Sequence, residues 1–145
     1  METTQKQSNS LIQLGVLLFT LALLTGLAIP FLARPRLGLS SHLGAIMNGT
    51  FLTLIGVIWH KISLSATLQK TTFWLLIYCS FANWLANLLA GMWNAGKELL
   101  PLAGDGTGTA SQEMIIKFLL VSLSLGFLAA CVMILLGLRK GLNKQ

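Results

Sequence analysis

His42, Asn48, Asn83, Asn87 and Asn94 are polar side chains set in stretches otherwise rich in Leu, Ile, Phe, Ala and Gly, with Tyr78, Trp84 and Trp93 close by in the chain. An apolar surround makes buried polar groups costly, so each is a candidate for function. At about 100° per residue, Asn83, Asn87 and Asn94 share one face of a helix, with Cys79 one turn before them. Such an amide stripe either glues helices together, at about 0.6–2 kcal/mol per bond, or lines a pocket that orients a polar substrate. His42 lies on one face with Ala45, Gly49, Thr53 and Gly56. That flat strip suits either a close-packed helix or a planar ligand. A lone histidine near a helix end is an interfacial hydrogen-bonding group or a metal ligand. His60 has no polar companions and reads as an interfacial residue.

The elements that must position these groups follow from composition. The 145-residue chain is 54% hydrophobic and only 10% charged, a balance that points to lipid rather than water as solvent. Apolar stretches over 11–32, 41–60, 71–96 and 113–138 are each near the ~20 residues that cross a hydrocarbon core. No alternating ten-residue pattern suggests a barrel, so the expected fold is an all-α integral membrane bundle of four transmembrane helices in a single domain, 1–145. The first stretch is too long for a signal peptide, is flanked only by Lys6 and precedes no small-x-small cleavage site, so it is expected to remain in the protein. Cys79 and Cys131 lie within spans and show no metal or haem-attachment spacing.

Turn chemistry sets the expected boundaries. Pro35 and Gly38 keep the first helix from running into the second, whose N-cap is expected at Ser40 or Ser41. Pro101, Gly104, Gly106 and Gly108 break the chain between the third and fourth helices, with a turn at Asp105-Gly106 and a loop able to cap one mouth of the bundle. Glu113 and Lys117, four apart, are expected to pair. Lys6, Lys61, Lys70, Arg139, Lys140 and Lys144 fall on one side, against Arg34, Arg36, Lys97 and Lys117 on the other. Six against four favours both termini in the cytoplasm and placement in the inner membrane, and the scatter of these charges at helix ends excludes a nucleic-acid stripe.

Three segments, RLGLSSHLGAIMNG (36–49), FANWLANLLAGMWNAG (81–96) and GTASQEMIIKFLLVSLSL (108–125), resemble the hydroxylaminobenzene mutases. The resemblance implies a membrane isomerase that rearranges aryl hydroxylamines such as hydroxylaminobenzene to 2-aminophenols. A fainter similarity reaches the styrene oxide isomerases, which are trimers around ferric haem b. It rests on His42, Asn48-Gly49 and Ala82-Asn83. It implies His42 as the axial iron ligand, beside Gly49, and Asn48 as a substrate-orienting amide. An aspartate and a tyrosine of those isomerases fall at Cys79 and Asn87 here, which argues against epoxide chemistry. For the rearrangement, Asn48, Asn83 and Asn87 are expected to act in catalysis by orienting the amine and the migrating oxygen, and Tyr78, Trp84, Trp93 and Asn94 to bind substrate.

Helix geometry bears on the haem. His42 and Asn48 stand about 120° and ~9 Å apart on one helix, so one subunit cannot readily flank both haem faces with them. A homotrimer with haem at subunit interfaces would allow it. A haem-bearing anchor subunit of a respiratory complex would need a second ligand histidine, and His60 lies ~27 Å from His42 along the helix. A small multidrug-type exporter would need a carboxylate at mid-membrane, and the spans hold none there.

Overall fold

A computed structural model describes residues 2–100 and 106–142 and places them in four antiparallel helices. They are α1 (Glu2–Ala28), α2 (Pro35–Ile58), α3 (Ala66–Trp93) and α4 (Ala110–Leu142), with short 3-10 turns at Ile29–Phe31 and Trp59–Lys61. All four are long and apolar enough to cross a membrane. The packing is sequential: α1 lies on α2, α2 on α3, and α4 on α3 and the Trp59–Lys61 turn. Leu18, Ala22, Ala45, Leu52, Leu76 and Ala130 form the centre of the bundle. Leu27, Phe31, Met47, Trp74, Phe118 and Leu135 point outward, as lipid-facing residues should.

The helices differ from the hydropathy spans at their ends, because caps and not apolar content decide where a helix stops. α1 begins well before residue 11, supported by the Glu2–Lys6 ion pair (2.7 Å) and by Ser8 Oγ donating to the Gly56 carbonyl (2.7 Å). It stops at Ala28, short of residue 32, where Pro30 tightens the chain into a 3-10 turn. α2 begins at Pro35 and not at Ser41, since proline lacks the N–H that a first helical turn leaves unused. Ser41 is instead buried mid-helix. α3 begins at Ala66, capped by Ser65 Oγ, which accepts from the Leu68 N–H (3.4 Å). It ends at Trp93, because Asn94 turns left-handed (φ 54°) and closes the helix through its N–H to the Ala90 carbonyl. α4 opens on a capping box in which the Thr109 N–H donates to Gln112 Oε1 (2.8 Å) and the Gln112 N–H to Thr109 Oγ1 (3.4 Å).

One mouth of the bundle is tied by two charged side chains. Glu113 does not pair with Lys117. Its carboxylate accepts from the Gly96 N–H (3.0 Å) and the Gly108 N–H (2.9 Å), while Lys117 reaches Glu98 (2.7 Å). A carboxylate near free backbone donors gains more than one beside a surface lysine. Buried Arg34 donates to the carbonyls of Ala95 (3.3 Å) and Gly106 (3.4 Å), so the first and third loops hold one another at the same end. Pro101, Gly104 and Asp105 lie outside the described residues. Glu113→Ala strands two N–H groups and is expected to lower stability by about 1–2 kcal/mol, a figure discounted for the nearness of solvent. Thermal unfolding in detergent measures it, and Glu113→Gln should restore part of the loss.

Candidate functional site

Two hydrogen bonds between helices, backed by one within α1, lock the first three helices together at one level. Ser41 Oγ on α2 donates to the Trp84 carbonyl on α3 (2.8 Å). Trp84 Nε1 donates to Thr25 Oγ1 on α1 (2.9 Å), and Thr25 Oγ1 donates back to the Leu21 carbonyl (2.8 Å). Trp84 is thus braced from both sides. Thr25 escapes a sequence reading because serine and threonine in membrane helices commonly satisfy themselves on their own backbone, as Thr20, Thr50 and Ser124 do here.

Beside that lock, Asn83 and Asn87 form one unit. Asn87 Nδ2 donates to the Asn83 carbonyl (2.9 Å) and to Asn83 Oδ1 (3.1 Å). Asn83 Oδ1 is therefore taken, and Asn83 Nδ2 is the end left to face α2. It does so opposite Gly44, where a Cβ would stand 3.3 Å from Nδ2. Absence of a side chain at 44 leaves that donor pair uncovered. Asn48 follows Gly44 by one turn on the same side of α2, and its Nδ2 is buried without a partner among the described residues. Asn48, Asn83 and Asn87 thus belong to one α2–α3 seam.

The remaining candidates go elsewhere. His42 faces α1: its Nδ1 lies 2.7 Å from the Ala22 carbonyl, and its ring covers Gly26, where a Cβ would stand 2.9 Å from Nδ1. Only a protonated Nδ1 can make that bond, so Nε2 carries the free lone pair. Gly49, expected beside a cofactor, is covered by α1, with a Cβ position 2.7 Å from the Gly15 carbonyl and 2.9 Å from the Phe19 nitrogen. At Gly49 and Gly56 the small strip packs against α1. Tyr78 lies on the outer face of α3 and bonds Ser122 of α4 (2.6 Å), away from the amides. Trp93 packs in a separate cluster with Leu37, Ala90, Ala95 and Ile116. Asn94 is the left-handed residue that ends α3, so the wheel that aligned it with Asn87 extends past the helix. Cys79 faces α4, where a Cβ at Gly126 would stand 2.6 Å from its Sγ.

The polar face of α3 is thus Ser80, Asn83 and Asn87, spaced by three and four, rather than the stripe through Cys79 and Asn94. Two donor-rich surfaces result: an amide seam between α2 and α3, and an oriented imidazole between α1 and α2. No group of three or more His, Cys, Asp or Glu able to hold a metal exists among the described residues. Amides that present N–H groups in a dry seam can orient a small polar molecule and stabilise charge that shifts within it.

Comparison with known proteins places the chain in a family. The chain is 51% identical over 133 residues to hydroxylaminobenzene mutase HabB of Ectopseudomonas oleovorans, covering 91% of this chain and 81% of the relative. It is 42% identical over 125 residues to hydroxylaminobenzene mutase HabA of the same organism, covering 86% of this chain and 93% of the relative. No solved structure gives a significant match. Residues 7–139 match the family described as styrene oxide isomerase, a span that takes in most of every helix, and the chain belongs to the styrene oxide isomerase family, in company with the hydroxylaminobenzene mutases.

Proposed function

We propose that this protein is a membrane-bound mutase that rearranges aryl hydroxylamines such as hydroxylaminobenzene to 2-aminophenols, with ferric haem b held by His42. The observation that carries the reaction is the 51% identity to a hydroxylaminobenzene mutase over 91% of the chain. The reaction is an isomerisation. The N–O bond breaks, a C–O bond forms at the ortho carbon, and the proton lost from that carbon is matched by one gained at nitrogen. No oxidant or reductant is consumed.

The residues present fit a haem at one point. The Ala22 carbonyl holds His42 Nδ1 at 2.7 Å, which fixes the tautomer and leaves Nε2 as the nitrogen that would hold the iron. When bound, ferric haem supplies a Lewis acid for the hydroxyl oxygen of the substrate. The chain's own groups do the rest. Asn83 Nδ2, freed by the Asn87 contact at Oδ1, donates to the amine nitrogen and sets the ring's orientation. Trp84, fixed by Thr25, offers an aromatic face to a ring that gains positive charge as the N–O bond breaks. The apolar surround excludes water, which favours return of oxygen to the ortho carbon over capture by solvent.

His42 and the amide seam lie on different sides of α2, which supports a homotrimer in which His42 of one copy approaches the seam of the next. The excess of basic residues on the side of the amino terminus, second loop and carboxyl tail supports the inner membrane with both termini cytoplasmic. The test is direct: detergent-purified protein is incubated with hydroxylaminobenzene and the products are separated by chromatography. Appearance of 2-aminophenol at the rate of substrate loss is expected, and its absence overturns the assignment. Asn83→Ala should lower kcat/KM by about 10²-fold, the scale for one preorganised donor, without changing the unfolding temperature by more than a few degrees.

A further inference from the structure

Two buried side-chain atoms lack a hydrogen-bond partner among the described residues, Asn48 Nδ2 and Ser80 Oγ. Their neighbours are satisfied. Ser41, Thr25, Thr53 and Thr72 bond to backbone carbonyls, and Trp84 to Thr25. Unmet donors inside a membrane bundle are rare, because no water stands by to complete them.

The two orphans belong to one place. The antiparallel pairing that sets Ser41 on Trp84 and Gly44 beside Asn83 carries Asn48, one turn beyond Gly44, to the level of Ser80, three residues before Asn83. Asn48 shares its side of α2 with Gly44, and Ser80 shares its face of α3 with Asn83 and Asn87. Gly44 and Asn83 are half-buried, whereas Ser80 is completely buried. Gly44 and Asn83 therefore form the half-buried edge of the seam, and one turn further along lie an unpartnered amide N–H and an unpartnered hydroxyl, both buried.

From this geometry we infer that Ser80 Oγ and Asn48 Nδ2 form the subsite for the hydroxyl group of the substrate. A hydroxyl is the complement of the pair: its oxygen accepts from Asn48 Nδ2, and its hydrogen is donated to Ser80 Oγ. An aryl amine can donate to Ser80 Oγ, but its lone pair is delocalised into the ring and accepts poorly from Asn48 Nδ2, and an aromatic C–H serves neither. Ser80 is thereby a specificity residue that distinguishes hydroxylated aryl amines from aryl amines. The inference rests on the mutase reading and deepens it.

The test compares binding of 2-aminophenol and of aniline, which lacks the hydroxyl, by calorimetry on the detergent-purified full chain, alongside turnover of hydroxylaminobenzene and thermal unfolding. The wild-type chain is expected to prefer 2-aminophenol by about tenfold or more, and Ser80→Ala to bring that preference near unity while raising KM for hydroxylaminobenzene by a similar factor. Ser80→Thr, which keeps the hydroxyl, should retain the preference. Should Ser80→Ala fail to fold, Ser80→Cys keeps the volume, weakens the donor and carries the same test. An unchanged preference in Ser80→Ala overturns the inference, and so does a fall in unfolding temperature with the preference intact, the signature of a buried structural water. A wild-type chain that turns over hydroxylaminobenzene without preferring 2-aminophenol sinks the subsite alone; a chain inert towards hydroxylaminobenzene removes the mutase reading and the subsite with it.

Discussion

His42→Ala, which removes the proposed haem ligand, is expected to yield a folded four-helix protein with no Soret band and at least about 10²-fold lower rate on hydroxylaminobenzene. Folding should survive because His42 makes one bond across the α1–α2 seam, to a carbonyl that helix α1 already engages. The stability loss is then about 1 kcal/mol. Function should not survive, because the substitution removes the imidazole that the Ala22 carbonyl orients and that the proposal assigns to the iron. Absorption spectrum, iron content and product formation are read on one sample. Retention of both iron and rate would remove His42 from the site, while loss of colour with full rate would leave the amides and Trp84 as the whole machinery. Added imidazole should restore colour in part, since the methyl of alanine vacates the space over Gly26.

Much of this protein is legible in its sequence, and the physical reason is the same wherever it succeeds. Lipid demands long apolar helices, so the four spans show plainly, and it penalises buried amides, so Asn48, Asn83 and Asn87 stand out. Helix ends are less legible because they are set by capping groups that hydropathy ignores: Ser65, the Thr109 and Gln112 box, and the left-handed Asn94. Asn94 joins the amide stripe on a helical wheel only if α3 is assumed to reach it. Ser80 and Thr25 go unseen for another reason. Hydroxyls in membrane helices are usually spent on their own backbone, so residue type alone does not separate Ser80, which is not, from Thr72, which is. Glu113 shows how a local pairing rule loses to a better partner, since free N–H groups at Gly96 and Gly108 outbid a lysine one turn away.

Gly49 is where the strip of small residues is most instructive, because its spacing suits a helix and a flat ligand equally and only the neighbouring chain decides. That chain is α1. A Cβ at Gly49 would stand 2.7 Å from the Gly15 carbonyl, and a Cβ at Gly15 would stand 2.6 Å from the Gly49 carbonyl, so two backbones touch without side chains between them. Neither clash can be relieved by a rotamer, because the opposing atoms are main chain. Gly49→Ala is therefore expected to cost about 1–3 kcal/mol, at the upper end of that range, and Gly49→Leu to leave little folded protein. The damage should also spread. Moving α1 away from α2 pulls the Ala22 carbonyl from His42 Nδ1 and strains the Thr25 bond to Trp84, so rate, colour and unfolding temperature fall together. A cofactor contact at Gly49 predicts the opposite pattern, lost colour at an unchanged unfolding temperature. Thermal unfolding of Gly49→Ala followed at both the Soret band and the far ultraviolet separates the two, because a helix crossing loses both signals in one transition at a lower temperature.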